Sequence, residues 1–348
     1  MMKNLPLYLK YALFLSLFVM LAACAAPPAK RRILYPPLPD QPRVEWLGTF
    51  HDERDFEKKG ARRVLAEIAG DAPAEAFDGP IGVAVNSQGL ILVSDLYLQT
   101  IVGVDIPRTD IYPVSKEKSF RNNLGIVVDR QDRIFVADGK ARKVFVLSPE
   151  GDPLYAIGDE TVFGKPAYLA INHELGRLYV SDPLQHKVKA FALDGKFLFE
   201  FGGPGGDPGR FNVPQGIAID KEGKLFVADM LNSRIQVFTA DGQPLHNFGA
   251  RGSGRNQFET PKALAFDSEG HLYVVDSRRP NYRIFNPDGQ LLLEVGSNRR
   301  DDTSKLALGL PVAIHIDNND RIVIADLMNR RIAVWQYLSA RYLKEHPL

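Results

Sequence analysis

The sequence predicts an all-β fold, a six-bladed β-propeller of four-stranded antiparallel blades, on three observations. Six apolar segments end in aspartate at near-regular spacing. Each follows a strand-and-turn pattern of one kind and leads into two further strands. The last repeat lacks its final strand, and a matching strand stands near the N-terminus.

The aspartate segments are LILVSD, RIFVAD, RLYVSD, KLFVAD, HLYVVD and RIVIAD. They end at Asp95, Asp138, Asp182, Asp229, Asp276 and Asp326, at intervals of 43, 44, 47, 47 and 50 residues. Recurrence at this period marks a repeat architecture in which each repeat is one supersecondary unit. Within a unit, a first apolar strand ends in Asn or Asp: Asn86, Asp129, Asn172, Asp220, Asp267 and Asp317. A tight turn follows, closed by Gly89, Gly176, Gly223 or Gly270 in four units. Asx side chains bond their own backbone and glycine accepts positive φ, so this is hairpin chemistry. The second strand runs to the repeated aspartate. A short loop leads to a third strand, such as RIQVF ending at Phe238. Asp-Gly or Glu-Gly then turns the chain at Gly151, Gly195, Gly242 and Gly289. A fourth strand ends in glycine, as in LHNFG at Gly249.

Nearly continuous apolar strands fit sheets covered on both faces by their neighbours. Ring closure removes the exposed ends of a linear stack. After RIAVWQYL, which ends at Leu338, no fourth strand follows. Residues 43–48, RVEWLG, supply one, with Leu47-Gly48 aligned on Phe248-Gly249.

The chain divides as follows. Residues 1–23 read as a signal peptide, with Lys3 and Lys10 before an apolar run too short to span a bilayer comfortably. LAAC, ending at Cys24, resembles a bacterial lipobox, so Cys24 is the expected lipidation site. Residues 24–42 form a lipidated cysteine and a tether, with six prolines in 25–42. Eighteen such residues, extended, reach roughly 55 Å. Residues 43–348 form the propeller, with 43–48 the closing strand, 49–76 a non-repeating insert and 77–338 the six repeats. Residues 61–70 have the pattern of a short amphipathic helix. Ala25 and Ala26, with no aspartate beside the cysteine, imply by resemblance to bacterial lipoproteins an exported protein anchored on the outer membrane.

Cys24 is the only cysteine. The exported domain therefore relies on its core and has no thiol nucleophile, thiolate metal site or c-type haem motif. Without residues 1–23 the chain carries 41 basic and 42 acidic side chains, a balance of −1 that gives no field for nucleic acid. GGPGGDPG, 202–209, precedes no helix and reads as a flexible connector rather than a phosphate loop. No serine-nucleophile motif is present, and no cofactor is expected.

The run Pro214, Gly216–Asp220, Leu225–Asp229 and Asn232–Phe238 resembles the NHL repeat. Asp326, Asn329, Arg331 and Ile332 repeat it, and the other units are looser, with Asn281 and Tyr282 where the fifth departs. The resemblance covers about residues 78–338. It implies a six-bladed ring that binds partners through loops at one end, and no single chemistry.

Asp229 and its equivalents sit where a carboxylate can fix a turn, so their expected role is bracing. The basic residues after them point to a cationic face: Arg142, Lys143, His186, Lys187, Arg234, Arg278, Arg279, Arg330 and Arg331. Such a face suits a protein or an acidic, anionic ligand. The expected partners are thus that ligand and the membrane through the lipid, for a monomeric chain. His315 stands in a column otherwise filled by Ala84, Val127, Ala170, Ala218 and Ala265, which makes it a candidate channel residue. The alternative function is a metal-dependent hydrolase or lyase with its site in the central channel. No three histidines share the inner strands, so no zinc triad is predicted.

Overall fold

The computed structural model describes residues 32–37, 39–52, 55–56, 76–115, 120–279, 281–296 and 306–348. The signal peptide, Cys24, most of the proline-rich segment before residue 32 and the predicted 61–70 helix lie outside them. Among the described residues, no helix is long and apolar enough to cross a membrane. Residues 34–348 form one compact unit.

The sheets are those the repeat predicts. Blades one to five run from Pro80 to Pro113, Asn123 to Ile157, Leu169 to Gly202, Pro214 to Phe248 and Pro261 to Gly296, each with four strands in chain order from the inside out. Blade six takes three strands from the C-terminal end, Pro311–Ile316, Arg321–Asp326 and Arg331–Tyr337. Its fourth is Val44–Phe50, antiparallel to Arg331–Tyr337. A short fifth strand, Ile33–Tyr35, joins the same sheet, so the proline-rich segment is not wholly a tether.

The closing strand is longer than predicted and its register differs. Phe50, opposite Ile332, takes the place of Phe248, opposite Ile235. Leu47 is unpaired between Trp46 and Gly48 and so matches Leu245 instead. The cause is a β-bulge, whose extra residue displaces a residue-by-residue alignment. Blades two to five bulge at the same place, at Leu154, Leu198, Leu245 and Leu292. Bulges of this kind twist a free edge away from pairing with another chain.

The core lies between blades rather than at the centre. Six apolar clusters occupy the six seams, from Ala84, Leu92, Ile126 and Ile134 between blades one and two to Tyr282, Ile284, Ile322 and Trp335 between five and six. Each blade hides the apolar sides of the next, which is why the second strands are buried throughout. Where four units close the first turn with glycine, blades two and six use Asp132 and Asp320, at φ 60° and 61°. The carboxylates of these residues hold the preceding blade: Ser87 N donates to Asp132 at 2.8 Å and Ser268 N to Asp320 at 2.9 Å.

Candidate functional site

Each repeated aspartate is buried and joins two loops at one end of its blade. Asp95 accepts from Asp78 N and Gly79 N, before the inner strand, and from Tyr97 N and Leu98 N, after the second strand, all within 3.1 Å. Asp138 does the same with Arg121 N, Asn122 N, Lys140 N and Ala141 N. The interblade connections and the loops between second and third strands therefore form one face. In blade four the knot includes side chains: Asn212 N, Asn232 Nδ2, Arg234 Nε and Gln236 Nε2 donate to Asp229 at 2.7, 2.8, 2.8 and 3.1 Å.

That pairing corrects part of the predicted cationic face. Arg234 is buried, and its Nη2 donates to the carbonyls of Asp207 and Arg210. Arg331 is buried likewise, 3.1 Å from Asp326 and bonded to the Ala307 carbonyl. Both guanidiniums are framework groups, because the neighbouring buried carboxylate and the loop carbonyls take up their donors. These bonds, with Asn232 Nδ2 on the Gly205 carbonyl at 2.9 Å, also tie down the 202–209 connector. Lys187 pairs with Glu200. Arg279 donates to the Gly252 carbonyl at 2.9 Å, and His186 Nδ1 accepts from Val213 N at 3.2 Å. Arg142, Arg278 and Arg330 are exposed on the face and Lys143 is half-buried, with Arg330 3.4 Å from Asp78. Arg142, His186 and Arg330 adopt left-handed backbone at φ 55°, 57° and 49°, which fixes where each loop turns into its third strand.

Blade five departs in a compensated way. Asn281 stands where Arg234 does, and the cation appears two residues later as Arg283, on the same side of the strand. Arg283 is fully buried, 3.6 Å from Asp276, with its guanidinium 4.6 Å from the Phe258 ring centre. Burial, then the charge of Arg279, push its pKa down to about 10.

The same loops carry an apolar set that the charge-based reading missed. Two residues after the repeated aspartate stand Tyr97, Lys140, Leu184, Leu231, Arg278 and Met328. Four of these are large and apolar, and they are 64%, 63%, 46% and 68% exposed at Tyr97, Leu184, Leu231 and Met328. The signal was present as a column of the repeat alignment.

The inner strands line a channel of about 230 Å³. Its wall is mostly aliphatic, with Gly82, Gly125, Gly216, Ala263 and Ala313 in equivalent positions near the loop face. A Cβ at Gly216 would lie 2.7 Å from the Lys262 carbonyl, so glycine lets adjacent inner strands approach. In blade three this position is Tyr168. Its hydroxyl donates to the Val312 carbonyl of blade six, directly across the ring, at 2.8 Å. Tyr168 thus bars the channel at the loop face. Burial raises its pKa.

His315 does line the channel, three residues further along the inner strand from the loop face than Val312 and facing Val323 of the second strand. Burial pushes its pKa down to about 4, against the charge of nearby Asp317 and with that of Arg321. It is therefore a neutral imidazole at physiological pH. Among the described residues, no three His, Cys, Asp or Glu side chains come together as a metal-ligand set. The channel offers one imidazole and no carboxylate from its lining, a donor set that does not fit a metal centre.

Residues 211–238, in blade four, match the NHL repeat family. The chain is a six-bladed β-propeller that carries an NHL repeat. No curated protein matches it. Solved structures share the fold. A gluconolactonase from Xanthomonas campestris is 18% identical with a TM-score of 0.60, over 90% of this chain and 100% of that one. Virginiamycin B lyase from Staphylococcus aureus is 11% identical with a TM-score of 0.56, over 85% of this chain and 99% of that one. A chain of the nidogen/laminin complex is 16% identical with a TM-score of 0.52, over 62% of this chain and 79% of that one. Identities this low carry the architecture and no chemistry.

Proposed function

We propose that this is a non-enzymatic binding propeller, exported, lipid-anchored at Cys24 in the bacterial outer membrane, and that it receives a protein partner on the loop face. The supporting observation is the crown of Tyr97, Leu184, Leu231 and Met328. Exposed apolar side chains scattered singly need no explanation, but these four share one loop position on one face, in neighbouring blades three and four and neighbouring blades six and one. Arg278 holds the same loop position in blade five, Arg142, Lys143 and Arg330 lie on the same face, and these cations give orientation rather than the bulk of the affinity. The nidogen/laminin likeness is consistent with a propeller used for assembly.

The test is photo-crosslinking in cells from positions 231 and 328, compared with position 222 in a first turn on the opposite face. A discrete adduct from the crown positions alone is the expected result. Equal adducts from both faces, or none, would remove the reading. A metal-dependent hydrolase or lyase in the channel stands second. His315 and the names of the gluconolactonase and lyase neighbours favour it, and the channel's donor set does not.

A further inference from the structure

At the centre of the loop face the six inner strands begin. The residue just before the barred level of the channel is Ile81, Leu124, Ala167, Gln215, Lys262 and Val312 in blades one to six. Five are uncharged, and Lys262 is the exception. Its side chain is half-buried, and among the described residues it has no hydrogen-bond or ion-pair partner. Lys165, whose backbone N donates to Asp182 ahead of the blade-three inner strand, is exposed, its stem packed over Gly139 of the blade-two loop. Burial and then the charge of Lys165 push the Lys262 pKa down. Both lysines lie towards the loop-face end of their blades, and the charge of Lys165 is felt at Lys262. An unpaired, partly desolvated ammonium costs folding free energy, and an incoming anion removes that cost.

Resting on the loop-face reading above, we propose that the mouth of the channel is a carboxylate socket for an acidic segment of a protein partner. One carboxylate sits between Lys262 and Lys165, and apolar residues beside it cover Tyr97, Leu184, Leu231 and Met328. Below the socket, Tyr168 stops the segment from entering the channel. A bilayer surface could reach the protruding crown. It is flat, however, and the recessed Lys262 lies behind the tips, whereas a single side chain or chain end can pass between them.

A random peptide library is selected on the wild-type protein, and the enriched peptides are measured by fluorescence anisotropy. The expected peptides carry Asp, Glu or a free C-terminal carboxylate next to apolar residues. Lys262→Gln weakens them at least tenfold, as does the triple variant Leu184→Ser, Leu231→Ser, Met328→Ser. The melting temperature of Lys262→Gln stays level or rises, since an unpaired charge is removed, so weaker binding is not misfolding. Peptides without acid, peptides indifferent to Lys262→Gln, or no enrichment would overturn the socket. So would crown-dependent sedimentation with phosphatidylglycerol vesicles in place of peptide binding. If the cross-links from 231 and 328 survive Lys262→Gln, the binding face stands and the socket falls. If no cross-link forms at all, both fall.

Discussion

Asp229 is buried and accepts from a backbone amide, an amide side chain and a guanidinium, all within 2.8 Å. Removing it strands Arg234 without its countercharge. Breaking a buried pair in this way costs about 3–5 kcal/mol. Asp229→Ala is therefore expected to lower the urea midpoint strongly, and weakened partner binding at an unchanged midpoint would contradict the bracing role. His315 makes a prediction of opposite kind. Its folded pKa of about 4 lies below the ordinary 6.5, so between those values the unfolded chain binds a proton that the folded chain does not. Stability should fall as pH drops through that window, by roughly 3 kcal/mol in all, and fall no further from this group below it. His315→Ala, the residue four other blades use here, should flatten that slope in denaturation curves taken from pH 7 to 4. The histidine was legible because it broke a column of small residues. Tyr168 breaks the neighbouring column of Gly and Ala just as clearly, but its role depends on a carbonyl 144 positions away, which no local pattern shows.

At the scale of strands, periodicity and turn chemistry made the blades readable, and the bulges were what they concealed. An inserted residue at Leu47 leaves the apolar pattern intact while shifting which phenylalanine faces Ile332. The braces were readable as a motif but not as accessible or inaccessible charges. Arg234 and Arg142 look alike in a string of letters, and only packing separates a buried fork from an exposed one. The closing strand carries its own prediction. Val44 is fully buried and Phe50 nearly so, and losing both forfeits about 4–5 kcal/mol of apolar burial. Deleting residues 1–50 should lower the melting temperature by about 10 °C or more in calorimetry. A smaller change would mean that the three remaining strands of the blade hold the ring shut.

For the whole molecule, the six seams explain why a repeat with one cysteine and no disulfide forms a stable ring: every apolar face has a neighbour. The exposed apolar set of the loop face was the least legible part. It combines residues from four of the six loops, so it exists only after the repeats are bent into a circle. Tyr168 then decides what kind of object that circle is. With its hydroxyl fastened to the far wall, one side chain spans the ring between front and back. A pull on that side chain from the front reaches the backbone of blade six at Val312, three residues from His315.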